Sequence, residues 1–325
     1  MSGKYATETI LVDPQGIARA AQVLRDGGLV AVPTETVYGL AARADSDAAV
    51  ARIYEAKGRP SFNPLIVHVR DAAQAREFAD LPHDAGMIAD HYWPAPLTLV
   101  VPRKPDAKLA AAVTAELDTV ALRSPDHPVM QALLTKCDFP LAAPSANRSG
   151  FVSPTSAAHV AATLDGRIDL ILDDERPCAE GLESTILAIR ADGRWEELRP
   201  GPVDLDRLHR YYRDSALPIG EGKGGVEAPG QLASHYAPGK PMRLNAEISS
   251  EEVAPDDFVI GFGAISGDCT LSARGDLNEA AARLYACLHE AARSEKPRIA
   301  VAPVPEEGIG IAINDRLRRA ATPPD

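Results

Sequence analysis

Aromatic residues make up only 5% of this chain, so its core must be aliphatic, packed from alanine, valine, leucine and isoleucine. Positive charge is scarce too: 34 Lys and Arg face 46 Asp and Glu, a net charge of −12. That argues against a protein coated for stable nucleic-acid binding, which needs surplus cations to neutralise phosphates. It leaves room for a local basic pocket inside an acidic shell. Cysteine is rare and scattered, and Cys137, Cys178, Cys269 and Cys287 include no CxxC pair. The spacing argues against a zinc site and a disulfide framework, and predicts free buried thiols in the cytoplasm. No run approaches the ~18 apolar residues of a membrane span. The opening residues lack the apolar segment of a signal peptide, so no membrane association is expected.

Common catalytic signatures are missing as well. Gly220-Glu221-Gly222-Lys223-Gly224-Gly225 lacks the first glycine and the hydroxyl of a phosphate-binding loop, and Gly267 falls one residue too late after Gly261-Phe262-Gly263 for a dinucleotide fingerprint. There is no GxSxG elbow, HExxH or zinc-deaminase pattern.

What is present is a 45% hydrophobic chain of 325 residues, enough for one large domain or two. Asp13-Pro14 opens a helix over 14–26, and Gly27-Gly28 closes it. Strands are expected over 29–32, 65–69, 97–101, 119–123, 170–174 and from 183 to 189, with helices over 71–78, 84–92, 127–134 and 203–212. Ser46 caps a helix that delivers Lys57 and Arg59, and Ser153-Pro154-Thr155 reads as the cap of a helix over 156–164. Glycine and proline then crowd residues 213–241, which read as a linker of roughly 30 residues. Beyond it, strand, helix, strand and helix over 258–263, 277–293, 298–302 and 309–320 suggest a small parallel α/β layer.

Lys57-Gly58-Arg59-Pro60-Ser61-Phe62-Asn63-Pro64-Leu65 sets two cations at a turn before a strand. Arginine offers a planar fork and lysine a point charge for an anion. The same residues read equally well as a solvated helix end whose cations complement the dipole. Other strand boundaries carry hydroxyls and cations: Thr34, Thr36 and Tyr38; Ser145 and Asn147; Ser184 and Thr185; Arg123; Arg199. Cations converging in an acidic protein suit a polyphosphate substrate, whose transfer needs positioning and charge stabilisation more than a nucleophile. Asp173, Asp174 and Glu175 read as a solvated charge run in preference to a Mg²⁺ site.

Pro33-Thr34-Glu35-Thr36-Val37-Tyr38-Gly39-Leu40, the Lys57–Leu65 stretch, Pro144-Ser145-Ala146-Asn147 and Glu183-Ser184-Thr185, in that order, resemble the YrdC/Sua5 family. His235-Tyr236-Ala237-Pro238 and residues 308–320 resemble its longer Sua5 subtype, although Ala228-Pro229-Gly230-Gln231 departs from an expected Ser-Pro-Gly-Met. The resemblance implies a twisted mixed-sheet α/β catalytic domain over 1–212, a linker over 213–244 able to act as a lid, and a small Rossmann-like parallel α/β domain over 245–325. It implies a threonylcarbamoyl-AMP synthase, a nucleotidyltransferase that uses L-threonine, bicarbonate or CO₂, and ATP with Mg²⁺. The product would feed t⁶A modification of tRNA through a downstream threonylcarbamoyl transferase machinery. Thr36, His68, Arg123, the Ala143 backbone and Ser184 would surround threonine. Lys57 and Arg59 would act in catalysis, and Arg59, Asn63, Thr119, Ser145, Ser153, Arg199, His235 and Tyr236 would surround ATP. The residues alone favour the cations; His68 in an apolar strand reads more readily as a core histidine. An RNA-binding module and a carbamoyl-transfer accessory protein are the alternatives.

Overall fold

The computed structural model describes residues 6–212, 220–221, 225–231, 234–246 and 256–323. Parts of the expected linker and the lysine of the glycine-rich 220–225 stretch lie outside the described residues. Eleven strands among the described residues form one mixed sheet. They are β1 (Glu8–Leu11), β2 (Val30–Val32), β3 (Gly39–Arg43), β4 (Ile66–His68), β5 (Leu97–Pro102), β6 (Thr119–Arg123), β7 (Leu141–Ala142), β8 (Leu170–Asp173), β9 (Thr185–Ile189), β10 (Trp195–Arg199) and β11 (Gly220–Glu221). Their order across the sheet is β1-β8-β2-β3-β7-β4-β6-β5-β9-β10-β11. The expected α/β class and twisted mixed sheet are thus present.

Local chemistry explains where the helices start and stop. The Asp13 carboxylate accepts from Gly16 N at 2.6 Å with Pro14 at the first helical position, which starts the helix Pro14–Arg25. Ser46 Oγ accepts from Ala49 N to start Asp47–Lys57, and Gly58 ends that helix in the left-handed region at φ 60°. The turn at Gly58 leaves Lys57 as the last helical residue and sends Arg59 back toward the sheet. Ala157–Leu164 is capped by Ser156, which accepts from His159 N. Ser153 therefore does not serve as that cap, and its hydroxyl is used elsewhere. Strand β3 was not expected, because Gly39 and the alanines after it carry little strand propensity. Pairing to β2 on one side and β7 on the other makes it a strand.

At the β1 end, both faces of the sheet are covered. Helices Pro14–Arg25 and Pro128–Lys136 pack on one face, while Asp47–Lys57 and Ala157–Leu164 pack on the other. From β4 to β10 the helices cover one face. Leu65, Val67, Leu99, Leu122 and Leu187 point into that larger core. Side chains alternate along a strand, so Ile66, Thr98, Ala121 and Ile186 point to the opposite face. His68, Arg123 and Ser184 continue that alternation. The site is built on this second face.

The C-terminal unit is a four-stranded sheet in the order β12-β15-β13-β14, with β12 (Met242–Arg243), β13 (Asp257–Gly261), β14 (Cys269–Thr270) and β15 (Arg298–Val301). Every pairing in it is parallel, as expected. Helices Leu277–Arg293 and Gly310–Ala321 pack on it. Their core continues into Val37, Val152, Leu182 and Tyr236, so apolar packing runs unbroken from this unit to the large sheet and the linker.

One expectation is overturned. Cys269 and Cys287 form a disulfide, with Cα atoms 5.8 Å apart. A CxxC motif is a short-range signal, whereas this pair lies 18 residues apart and meets because the strand and the helix Leu277–Arg293 pack together. Cys137 and Cys178 are free and buried, as expected.

Candidate active site

On the second face, β4 and β6 run parallel with His68 beside Arg123. Strand β9 runs antiparallel to β10, which brings Ser184, just before β9, next to Arg199 at the end of β10. The carboxyl ends of β4, β6 and β10 therefore meet the start of β9 at one edge of the sheet, the usual ligand position in α/β folds. A cavity opens there, lined by Arg59, His68, Arg123, Ala143, Ser145, Glu183, Ser184, Arg199, Gly230, His235 and Tyr236 among others.

The cations are held by different means. Arg123 Nη2 donates to Glu35 Oε1 at 2.6 Å and to Thr36 Oγ1 at 2.9 Å, while Arg123 Nε is buried without a partner. Arg199 donates to the Ser184 carbonyl at 2.9 Å and hydroxyl at 3.1 Å, and to the Pro229 carbonyl at 3.2 Å. Arg59 donates to the Asn63 side chain at 2.6 Å and the Pro64 carbonyl at 2.8 Å, and burial brings its pKa down to about 10. The Lys57 ammonium does not line the cavity. It lies beneath the 145–147 turn and donates to the Ser145 and Asn147 carbonyls, and burial, then the Arg59 charge, lowers its pKa well below the usual lysine value.

Of four more expected residues, three bond the lining from behind and Thr119 sits at the opposite end of β6 from Arg123. Thr36 shares a 2.8 Å hydrogen bond with Thr34 and receives Arg123. Asn63 braces Arg59. Thr119 lies at the start of β6, two alternations from Arg123 on the same face. The Ser153 hydroxyl donates to Glu183 Oε1 at 2.6 Å. His68, which the residues alone did not favour, has an unpartnered buried Nδ1, and burial, then Arg123, lowers its pKa to about 3. A neutral imidazole beside a guanidinium is the form poised to bond a hydroxyl. The sequence reading passed over Glu183 and Glu35, since each carboxylate sits beside hydroxyls that drew the attention.

Pro229, Gly230, His235 and Tyr236 of the linker complete the cavity wall. Gly230 has φ 87°, and a Cβ there would lie 3.0 Å from both Arg199 Cδ and the Tyr236 hydroxyl oxygen, so glycine is required. Tyr236 itself takes φ 65°. Ala237 N donates to the Gly150 carbonyl at 2.7 Å, and His235 N donates to the Arg319 carbonyl at 3.3 Å, tying the segment to both units. The cavity offers about 40 Å³ to water-sized molecules and stays partly open to solvent.

Among the described residues, no three His, Cys, Asp or Glu side chains form a group that could hold a metal ion, and no helix is long and apolar enough to cross a membrane.

Comparison with known proteins gives consistent matches. Residues 22–201 match the Sua5/YciO/YrdC family, described as "Telomere recombination", and residues 203–322 match "Threonylcarbamoyl-AMP synthase, C-terminal domain". The chain is 42% identical to threonylcarbamoyl-AMP synthase of Bacillus subtilis, over 95% of this chain and 93% of that one. It is 38% identical to the Pyrococcus abyssi protein of the same name, over 93% of each. The crystal structure of P. abyssi Sua5 complexed with L-threonine superposes with a TM-score of 0.84 at 34% identity, covering 98% of this chain and 97% of that one. A P. abyssi Sua5 variant with a histidine and the adjacent tyrosine replaced by alanine superposes at 0.86 with 35% identity, covering 97% and 96%.

Proposed function

This chain belongs to the Sua5/YciO/YrdC family in its two-part form with the Sua5 C-terminal domain, and we infer from that membership that it is an L-threonylcarbamoyladenylate synthase. The observation that carries the reading is one cavity in which Arg59, His68, Arg123, Ser145, Ser184 and Arg199 converge, in a chain matched along nearly its whole length by synthases. The reaction joins L-threonine, bicarbonate and ATP into threonylcarbamoyl-AMP, pyrophosphate and water. The threonine nitrogen gives up a proton and bonds the carbon of CO₂, opening one C=O bond, the CO₂ arising from bicarbonate by breaking a C–O bond and releasing water. A carbamate oxygen then bonds the α-phosphorus, and the bond to the β-phosphate breaks to release pyrophosphate.

Three reactants held together gain most of their rate from proximity and charge stabilisation. The free Arg123 Nε suits the threonine carboxylate, and neutral His68 with Ser184 suits its hydroxyl and amine. Arg59, Ser145 and Arg199 suit the triphosphate, whose negative charge their donors offset in a dry site. Lys57 acts one step back by fixing the Ser145–Asn147 turn from below, with Asn63 doing the same for Arg59. Thr36 and Ser153 likewise set Arg123 and Glu183, and Thr119 extends the same face toward the nucleotide.

Mg²⁺ would arrive on the triphosphate oxygens, neutralising charge between the phosphates. The residues present fit that arrangement better than a dedicated protein cage, given the absence of a metal-holding cluster among the described residues. The 213–244 segment serves as a lid that closes after substrates enter and shields the product from water. The product passes to a tRNA threonylcarbamoyl transferase in the cytoplasm.

The deciding experiment follows pyrophosphate release from ATP. Release that requires both threonine and bicarbonate is expected; release indifferent to threonine would sink the assignment.

A further inference from the structure

Glu183 is the residue before Ser184, and its carboxylate is buried. Ser153 donates to one oxygen at 2.6 Å. The other receives the Tyr285 hydroxyl at 2.8 Å and Arg316 Nε at 3.0 Å. Those two donors belong to the helices Leu277–Arg293 and Gly310–Ala321 of the C-terminal unit. Arg316 is fully buried, and its Nη2 reaches the Pro200 carbonyl at 2.9 Å. One guanidinium thus grips the residue before Ser184 and the residue after Arg199, the two groups that bond each other in the cavity wall.

The same pair frames the lid. The Arg316 guanidinium lies 5.6 Å from the centre of the Tyr236 ring, and the Tyr285 ring packs against that ring at 5.6 Å. Close approach makes the joint rigid. A Cβ on Gly181 would fall 2.4 Å from Ala282 Cα, so the segment leading to Glu183 lies directly on the helix backbone. Replacing a buried ion pair with apolar residues of equal volume is often neutral for stability. Fixed geometry is what this charged joint can add.

We propose that Arg316 and Tyr285 are positioning residues of the synthase, acting through Glu183 to set Arg199 and Tyr236 for the nucleotide and, less directly, Ser184 for threonine. The C-terminal unit is then a working part of the active-site wall. This inference rests on the synthase reading of the cavity.

The test uses full-length protein and steady-state pyrophosphate release with ATP and threonine varied separately. Tyr285→Phe keeps the ring and removes one hydrogen bond to Glu183. It is expected to raise KM for ATP about fivefold, more than KM for threonine, with the melting temperature within about two degrees of wild type. Arg316→Lys keeps the charge but loses the fork, and is expected to raise KM for ATP at least tenfold. Arg298→Met is the control: it removes an ion pair to Asp257 in the C-terminal sheet, away from Glu183, and should leave both KM values unchanged. Unchanged KM values in both Tyr285→Phe and Arg316→Lys overturn the proposal, even if melting temperature or active fraction falls. Wild-type protein without threonine-dependent release defeats the synthase reading and this inference with it; active wild type with unmoved KM values defeats the inference alone.

Discussion

Arg123 binds Glu35 through one guanidinium nitrogen at 2.6 Å and turns another, unpartnered, to the same buried site. The pair is almost wholly buried, so its halves are not independent. Removing one partner of a buried pair costs ~3–5 kcal/mol, because the other is left uncompensated. Arg123→Met should therefore destabilise the fold by about that much, and adding Glu35→Gln should restore most of it. The threonine defect should not recover. Losing a charged hydrogen bond to the carboxylate costs ~1.5–3 kcal/mol, so KM for threonine stays about 10- to 100-fold high in both. Urea unfolding and threonine titration of the single and double variants read this directly, and recovery of threonine affinity in the double variant would refute the role.

Lys57 and Arg59 are neighbours in sequence with different tasks. Arg59 lines the cavity, whereas Lys57 spends its donors on carbonyls beneath the 145–147 turn. Arg59→Ala should cost ~2–4 kcal/mol of transition-state stabilisation, as for loss of an electrostatic clamp, with a fold close to wild type. Lys57→Met leaves the buried Asn147 carbonyl without its donor, at ~1–3 kcal/mol, and leaves the Ser145 carbonyl with only its 3.0 Å bond from Asn147 N. It should lower the unfolding free energy first and weaken ATP binding through the displaced Ser145. Lys57→Met with normal stability and a collapsed kcat would assign the ammonium to the chemistry instead.

The contrast between those two cations marks how far the sequence is legible. Helix ends came through because caps are local: Asp13-Pro14, Gly27-Gly28 and Ser46 announce themselves within four residues. Ser153 misled for the same reason, since a serine near a helix start reads as a cap whichever way its hydroxyl turns. The motif residues that converge on the cavity were legible as a set, because each sits at a strand boundary on one sheet face. What could not be read was direction. Whether Lys57 faces ligand or backbone depends on the 145–147 turn, 88 residues away in sequence. Glu183 was hidden because its partners lie 102 and 133 residues downstream.

The disulfide makes a separate claim. Cys269 and Cys287 enclose a loop 18 residues long, for which cross-linking is worth ~3 kcal/mol in the chain-entropy account. Peptide mapping without reductant should recover the cross-linked pair, and Cys269→Ala with Cys287→Ala should lower the stability of the C-terminal unit by about that amount. A map with both thiols free would overturn the pairing.

Acid sensitivity follows from the buried histidines, and its pH window can be fixed in advance. His68 and His235 are each held near a pKa of about 3, chiefly by burial, with Arg123 adding to the effect on His68 and Arg59 and Lys57 adding to it on His235 against the pull of Glu183. Unfolded, each returns to about 6.5. A folded pKa below the unfolded value means the unfolded chain binds more protons, so stability is complete above pH 6.5 and falls as pH drops from there toward 3. Each histidine contributes a slope of ~1.4 kcal/mol per pH unit well inside that window. The stacked pair His159 and His289, also lowered by burial, acts in the same direction. Glu183 behaves differently: burial pushes its pKa up, but Arg316, Arg199, Ser153 and Tyr285 pull it down to about 2. Its contribution is intact above about 4.5 and is lost only between there and 2. Urea unfolding should thus show the histidine-dependent loss as an added steepening between pH 6 and 5, before any carboxylate on this joint titrates. His68→Gln and His235→Gln should each reduce the slope, and a free energy unchanged from pH 7 to 5 would show that these imidazoles are not buried neutral.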